Sequence, residues 1–211
     1  MRFGVDEAGK GPVVGSMFAA AVRGPAHELP SGIDDSKRLT PERREELDRA
    51  IRAAEGVSVG VAEIPVSRID GDEDMNTLTV AAQAEALSQV VDAGDGGILD
   101  AGDTSAERFA QRVRDYLPVE VELRAEHRAD ETYLLVGAAS IVAKVARDAH
   151  VAALADEYGE VGSGYPSDPA TREFLAAYVE EHGGLPGCAR RSWSTCEDVL
   201  AAAEQSALGE F

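Results

Sequence analysis

A short apolar run, Phe3-Gly4-Val5, closes on two adjacent acids, Asp6 and Glu7, and three glycines follow by Gly15 in FGVDEAGKGPVVG. A strand of this kind belongs in an interior, yet a buried carboxylate without a partner is costly. Any fold open to the chain must therefore bring a partner to the end of its first strand. Side chains alternate along a strand, so Asp6 and Glu7 point to opposite faces unless the backbone turns at once. AGKGP supplies the residues for such a turn.

The same ending recurs. GGILD (96–100) is a second short apolar strand that closes on an acid, Asp100. VEVELRAEH alternates as a strand, and Asp130 follows it at the start of an amphipathic helix running from about Glu131 to Tyr158. The opening strand covers residues 2–7, and residues 11–22 and 57–65 read as two further strands. The polar stretch before the third holds a helix with Thr40 as N-cap, Pro41 at its first position and Gly56 past its end. MNTLTVAAQAEALSQVVDAG is a helix with Asn76 as N-cap. TSAERFAQRVRDYL is another, capped by Thr104 with Glu107 in a capping box. A helix near 169–182 and an Ala-rich helix complete the chain.

Three strands in a meander, then β-α-β units and a helical tail, predict the α/β class with a mixed five-stranded sheet flanked by helices. The later strands run parallel to the first. The expected organisation is a catalytic core over 1–164 and a C-terminal helical extension over 165–211.

Of 211 residues, 44% are hydrophobic and 28% charged, which fits a globular chain. No apolar run is long enough to span a bilayer, and the N-terminus lacks the signature of a signal peptide. A soluble, cytoplasmic, monomeric protein is expected, with Cys188 and Cys196 as free thiols. The net charge is −19, and Lys10, Lys37 and Lys144 are the only lysines. Such a surface suits a host with molar internal salt, where self-repulsion is screened.

If the acid-ended strands are parallel neighbours, their C-terminal ends coincide, where open α/β sheets hold ligands. Taken singly, Asp100 fits a turn, Asp130 an N-cap, and Asp6 an arginine partner. Taken together, carboxylates at one end of a sheet repel unless a cation sits among them. Hard oxygen donors suit Mg²⁺ or Mn²⁺.

The segments GVDEAGKGPVVG, DDSKRLT, LDAGDTSAERF, EHRADETYLLVGAASIVAKVARD, GSGYPSDP and RRSWST occur in the order found in ribonuclease HII, and the chain resembles the archaeal type most closely. The resemblance implies a ribonuclease H-like fold. It implies hydrolysis of the RNA strand of RNA–DNA hybrids, and incision 5′ of single ribonucleotides in duplex DNA. The family's metal-binding acids match Asp6, Glu7, Asp100 and Asp130, with two Mg²⁺ or Mn²⁺ ions, Asp6 bridging, and Asp130 nearer the nucleophile. The family's Gly-Arg-Gly turn, which approaches the ribose 2′-hydroxyl, reads Gly9-Lys10-Gly11 here. Its ribose-packing tyrosine matches Tyr165.

Lys37, in the DDSK loop, and Lys144 are candidate phosphate contacts. Ser140, Lys144 and Arg147 fall on one helix face, which equally suits a solvated stripe with a Lys144–Asp148 pair. Trp193 is expected to pin the tail, and His127 to lie at the surface. A sliding clamp is a candidate partner. Other nucleases of the same fold, such as junction resolvases or ribonuclease HIII, are the nearest alternatives. A phosphate-binding module is a more distant one, since GKGPVVG fits neither glycine-rich phosphate motif. A non-catalytic acidic binding protein is the third.

Overall fold

The computed structural model describes residues 1–33 and 39–209. Strands β1 (Arg2–Ala8), β2 (Met17–Arg23), β3 (Ser58–Ile64), β4 (Gly96–Asp100) and β5 (Glu122–Glu126) form one sheet in the order β3-β2-β1-β4-β5. β1 pairs antiparallel with β2 and parallel with β4, and β4 pairs parallel with β5. The mixed sheet is thus the one expected. The helices are α1 (Pro41–Ala53), α2 (Val66–Ile69), α3 (Met75–Ser88), α4 (Ala106–Tyr116), α5 (Leu134–Tyr158), α6 (Pro169–His182) and α7 (Ser194–Gly209). Among the described residues, no helix is long and apolar enough to cross a membrane.

The chain divides into two compact units that interleave in sequence. The first comprises Met1–Ala8, Phe18–Glu63 and Asp74–Arg147; the second comprises Gly9–Met17, Ile64–Glu73 and Asp148–Phe211.

In the first unit, Ala20 and Val22 of β2 pack with Leu47 and Ile51 of α1 and with Leu135, Ala138 and Ile141 of α5. Small residues set how closely these layers approach. A Cβ on Gly4 would overlap the backbone of α5 at Leu135 and Val136. Helix α3 packs on β1, and α4 packs on α3 and β5. Phe109 and Val113 give α4 its buried face.

Asp95 ties the start of β4 to Met1, just before β1, and to Arg23 at the end of β2. It accepts from the Met1 α-amino group at 2.5 Å, from Arg23 Nε at 2.6 Å and from the Asp92 amide at 2.9 Å. Burial pushes its carboxyl upward, but these donors outweigh that and hold it well below the usual carboxylate range. A group so lowered contributes stability above its unfolded value near 4, and the contribution is lost as pH falls toward the folded value. Asp95→Ala is expected to cost about 3 kcal/mol at neutral pH, because the Arg23 guanidinium loses its buried partner. The gap from the parent should narrow below about pH 4. Urea unfolding at two pH values measures this, and a gap independent of pH would contradict the assignment.

In the second unit, Val13, Val14, Val161, Phe174, Leu175, Cys188, Ala189 and Cys196 form the core. Tyr158, Phe174 and Tyr178 meet edge-on or tilted, with centroids about 6 Å apart. Asp70 accepts from the amides of Arg191 and Ser192 at 2.9 and 3.1 Å, fixing the segment that carries α2. Cys188 and Cys196 are free and buried, as expected of thiols. Burial, the largest cause for both, pushes each up to about 11, so neither is an active nucleophile at neutral pH.

Local expectations fared unevenly. Thr40 does cap α1, accepting from the Arg43 amide at 3.3 Å, and α6 spans 169–182 as read. The expected strand over 11–22 begins only at Met17. Residues 13–15 instead bond to Gly164 and Cys188, with Gly15 at φ +84°. Helix α3 is capped by Asp74, not Asn76: a carboxylate accepts from both the Asn76 and Thr77 amides. Helix α4 is capped by Ser105, since Thr104 is bound to Asp103. Glu107 therefore lies one position short of a capping box. Helix α5 starts at Leu134, and Asp130 sits before it in a 3₁₀ turn, Ala129–Glu131. The short helix α2 had no reading in the sequence.

Candidate active site

The register of the sheet sets the site. Val5 of β1 lies opposite Leu99 of β4, and Leu99 opposite Ala125 of β5. The residues that follow, Asp6 and Asp100, therefore stand at one level, where the parallel pairing of β1 with β4 ends. Asp6 faces α5, where Ser140 donates to its carboxylate. Glu7 faces the other way, as alternation requires, and Gln83 Nε2 of α3 donates to its Oε2 at 2.5 Å. The same Nε2 donates to the Asp100 carbonyl at 3.0 Å, so one amide spans both strand ends. The Glu7 amide closes on Asp6 Oδ1 at 2.8 Å.

Asp100 is tied to the turn that carries Asp130, because its Oδ1 accepts from the Ala129 amide at 2.7 Å. Arg128 precedes that turn at φ 58°, ψ 38°, a left-handed conformation that costs a non-glycine residue about 1 kcal/mol or more. After Asp100, Gly102 gives Glu7 its room: a Cβ there would lie 3.2 Å from Glu7 Oε1 and 2.6 Å from Thr79 Cγ2.

Asp6 is the electrostatic centre. Burial, then Glu7, then Asp100 push its carboxyl well above the usual range, while Ser140 and the Glu7 amide pull it back. Lys144 Nζ donates to Ser140 Oγ at 2.7 Å, and Ser140 passes its own hydrogen to Asp6. Lys144 is thus linked to Asp6 through a fully buried serine. The donor set is carboxylate oxygen, which fits a hard divalent cation. Among the described residues, no three His, Cys, Asp or Glu side chains are gathered as a finished metal cage.

The remaining expected residues divide clearly. Gly9, Lys10, Gly11 and Tyr165 come together in the second unit. Gly9 is at φ 88°, and a Cβ on Gly11 would lie 3.8 Å from the Tyr165 ring. Tyr165 is 41% exposed. Its loop is held rigidly: Asp168 caps α6 and accepts from the Ser163 amide at 2.6 Å, and Thr171 Oγ1 accepts from the Gly164 amide at 2.9 Å. Lys37 lies outside the described residues. His127 is exposed, as expected of a surface histidine.

Sequence reasoning missed Gln83 and Arg190. Gln83 had one available signal, a lone amide in the apolar run of α3, where it is fully buried. Arg190 stands in an exposed-looking run of two arginines, yet it is fully buried. Gln83→Leu should remove the Gln83 hydrogen bond from the Glu7 carboxylate. The expected result is a roughly 10- to 100-fold rise in the metal concentration needed for half-maximal cleavage. A metal titration checks this; an unchanged midpoint would show that Gln83 only fills space.

The ribonuclease HII family model matches residues 3–196. The chain is 67% identical over 212 residues to a ribonuclease HII of Haloarcula marismortui, covering 100% of both chains. The ribonuclease H2 of Pyrococcus horikoshii OT3 superposes with a TM-score of 0.87 at 34% identity, covering 97% of this chain and 99% of that one. Ribonuclease HII of Archaeoglobus fulgidus, solved as a complex with PCNA, gives 0.82 at 34% identity, covering 94% and 96%. The fold is therefore that of the ribonuclease H-like nucleases. The chain belongs to the ribonuclease HII family of metal-dependent phosphodiester hydrolases, and resembles its archaeal members.

Proposed function

We propose that this enzyme hydrolyses the RNA strand of RNA–DNA hybrids and also cuts 5′ of a single ribonucleotide in duplex DNA, leaving 3′-hydroxyl and 5′-phosphate ends. The observation that carries the reading is the buried Asp6 carboxyl, crowded by Glu7 and Asp100 and held by Ser140. Asp6, Glu7, Asp100 and Asp130 would hold two Mg²⁺ or Mn²⁺ ions, and such ions would supply activation of the attacking water and charge stabilisation at the departing 3′ oxygen.

The chain's own residues do the rest by positioning. Ser140 and the Glu7 amide fix Asp6, Gln83 fixes Glu7, and the Ala129 amide fixes Asp100. Backbone groups of Gly9-Lys10-Gly11 read the 2′-hydroxyl, the group that tells RNA from DNA. Tyr165 packs against the ribose. Lysine in place of arginine in the turn makes any phosphate contact there a point-charge contact. Lys37 and Lys144 contact phosphates in this reading; Lys144 keeps two of its three ammonium donors for that purpose after bonding Ser140. The PCNA complex of the A. fulgidus relative supports a sliding clamp as partner.

A −19 protein gains little from counterion release at molar salt, so hydrogen bonds, metal bridging and shape carry binding. The test is cleavage of an end-labelled duplex with one ribonucleotide, with Mg²⁺ or Mn²⁺, across a range of KCl. A single cut 5′ of the ribonucleotide that persists toward molar KCl is expected. Cleavage of long hybrids alone would remove the junction reading and leave the carboxylate site standing. Loss of cleavage as KCl rises would contradict the salt argument.

A further inference from the structure

Arg190 is a fully buried arginine whose donors end on main-chain carbonyls. Its Nε donates to Gly15 O at 2.8 Å, Nη1 to Lys10 O at 3.0 Å and Nη2 to Gly9 O at 2.6 Å. The indole of Trp193 lies 5.0 Å from its guanidinium carbon, and Trp193 Nε1 donates to Gly11 O at 3.3 Å. Three successive carbonyls, of Gly9, Lys10 and Gly11, are therefore drawn to one side.

In a trans peptide the carbonyl and the following N–H point in opposite directions. Drawing in the Gly9 and Lys10 carbonyls turns the Lys10 and Gly11 N–H groups the other way. The third peptide ends at Pro12 and carries no hydrogen. The peptide after Gly15 shows the same logic: its carbonyl meets Arg190, and its Ser16 N–H goes to His150 Nε2 at 3.1 Å. Two successive amides on one side of a turn, opened by a glycine at positive φ, make a small concave donor site for an oxygen.

Desolvating a guanidinium costs several kcal/mol. Its planar fork meets three carbonyls at once, which an ammonium cannot do. The main chain of 188–190 adds rigidity: Gly15 N donates to Cys188 O and Arg190 N to Val13 O, each at 2.8 Å.

We propose that Arg190, aided by Trp193, is the positioning residue that presents the Lys10 and Gly11 amides, and so sets discrimination between ribose and deoxyribose. The inference rests on the ribonucleotide reading of the turn given above. It is tested by binding in an Asp6→Asn background, so that nothing is cut. The affinities for a duplex with one ribonucleotide and for the all-DNA duplex of the same sequence are measured, and their ratio is read. A variant that merely folds less well weakens both affinities alike and leaves the ratio unchanged.

Arg190→Gln is expected to lower the ratio about tenfold, the scale of a sub-ångström to ångström displacement. Arg190→Lys should fall between the two. Trp193→Phe keeps an aromatic ring and removes the donor to Gly11, and should lower the ratio about two- to threefold. If Arg190→Gln does not fold, Trp193→Phe carries the same outcomes. A discriminating parent with equally discriminating variants overturns the inference alone. A parent that binds both duplexes equally overturns the ribonucleotide reading, and this inference with it.

Discussion

Asp6→Asn is expected to reduce cleavage by about three orders of magnitude or more, the scale lost when one member of a catalytic unit is removed, while raising the thermal stability of the metal-free protein. The two effects have one origin. Asp6 is buried beside Glu7 and Asp100, and its carboxyl is held well above the usual range. An acid raised in this way contributes stability while protonated, below its unfolded value near 4. The contribution is lost as pH rises through the folded value. At neutral pH the ionised group therefore weighs against folding unless a cation is present. Asparagine keeps the acceptor for Ser140 and the Glu7 amide, and its new NH₂ finds acceptors among the neighbouring carboxylates.

In EDTA, Asp6→Asn should melt higher than the parent at pH 7 to 8, by about 2–4 °C for each kcal/mol relieved. The difference should shrink toward about pH 4. Added Mg²⁺ should close it from the other side, by raising the parent alone. A variant that melts lower at every pH would mean that the protein itself neutralises Asp6. Lys144, two hydrogen bonds away through Ser140, would then be the group responsible.

Gly4→Ala is expected to have the largest effect on stability. Its methyl would overlap the Leu135 carbonyl carbon and the Val136 nitrogen, which are backbone atoms and have no rotamer to escape into. Either β1 or α5 must move. The cost should reach about 3 kcal/mol, or roughly 6–12 °C in melting temperature. Activity should fall further than the folded fraction explains, because β1 carries Asp6 and α5 carries Ser140. Gly11→Ala is the control for fold: the nearest atom to its added methyl is in the Tyr165 ring at 3.8 Å, an ordinary contact. Thermal melts of the two variants compare them directly. A Gly4→Ala protein with the parent's melting temperature would refute the close β1–α5 approach.

What the sequence reveals depends on the range of the interaction. Asp6, Asp100 and the strands behind them are legible because a short apolar run ending in an acid is a local pattern. Helix α6 is legible because Asp168, Pro169 and Gly183 mark its ends. The stretch from 11 to 16 is misread because its apolar residues look like a strand, while its hydrogen-bond partners are Gly164, Cys188 and Arg190. Nothing within ten residues announces them. Gln83 is hidden for a related reason: α3 is buried on nearly every side, so no amphipathic stripe sets the residue apart. Asp130 was placed at the start of a helix because the left-handed Arg128 leaves no mark in composition.

The interleaving of the two units also has a consequence in time. The arginine that meets Lys10 O is synthesised 180 positions after the turn that it holds. At about 5–20 residues per second, that interval is roughly ten to forty seconds. Once Asp130 is made, the strands and their acids are all synthesised, while Arg190 is still 60 positions away. The nascent chain therefore acquires all four carboxylates before it can set its turn.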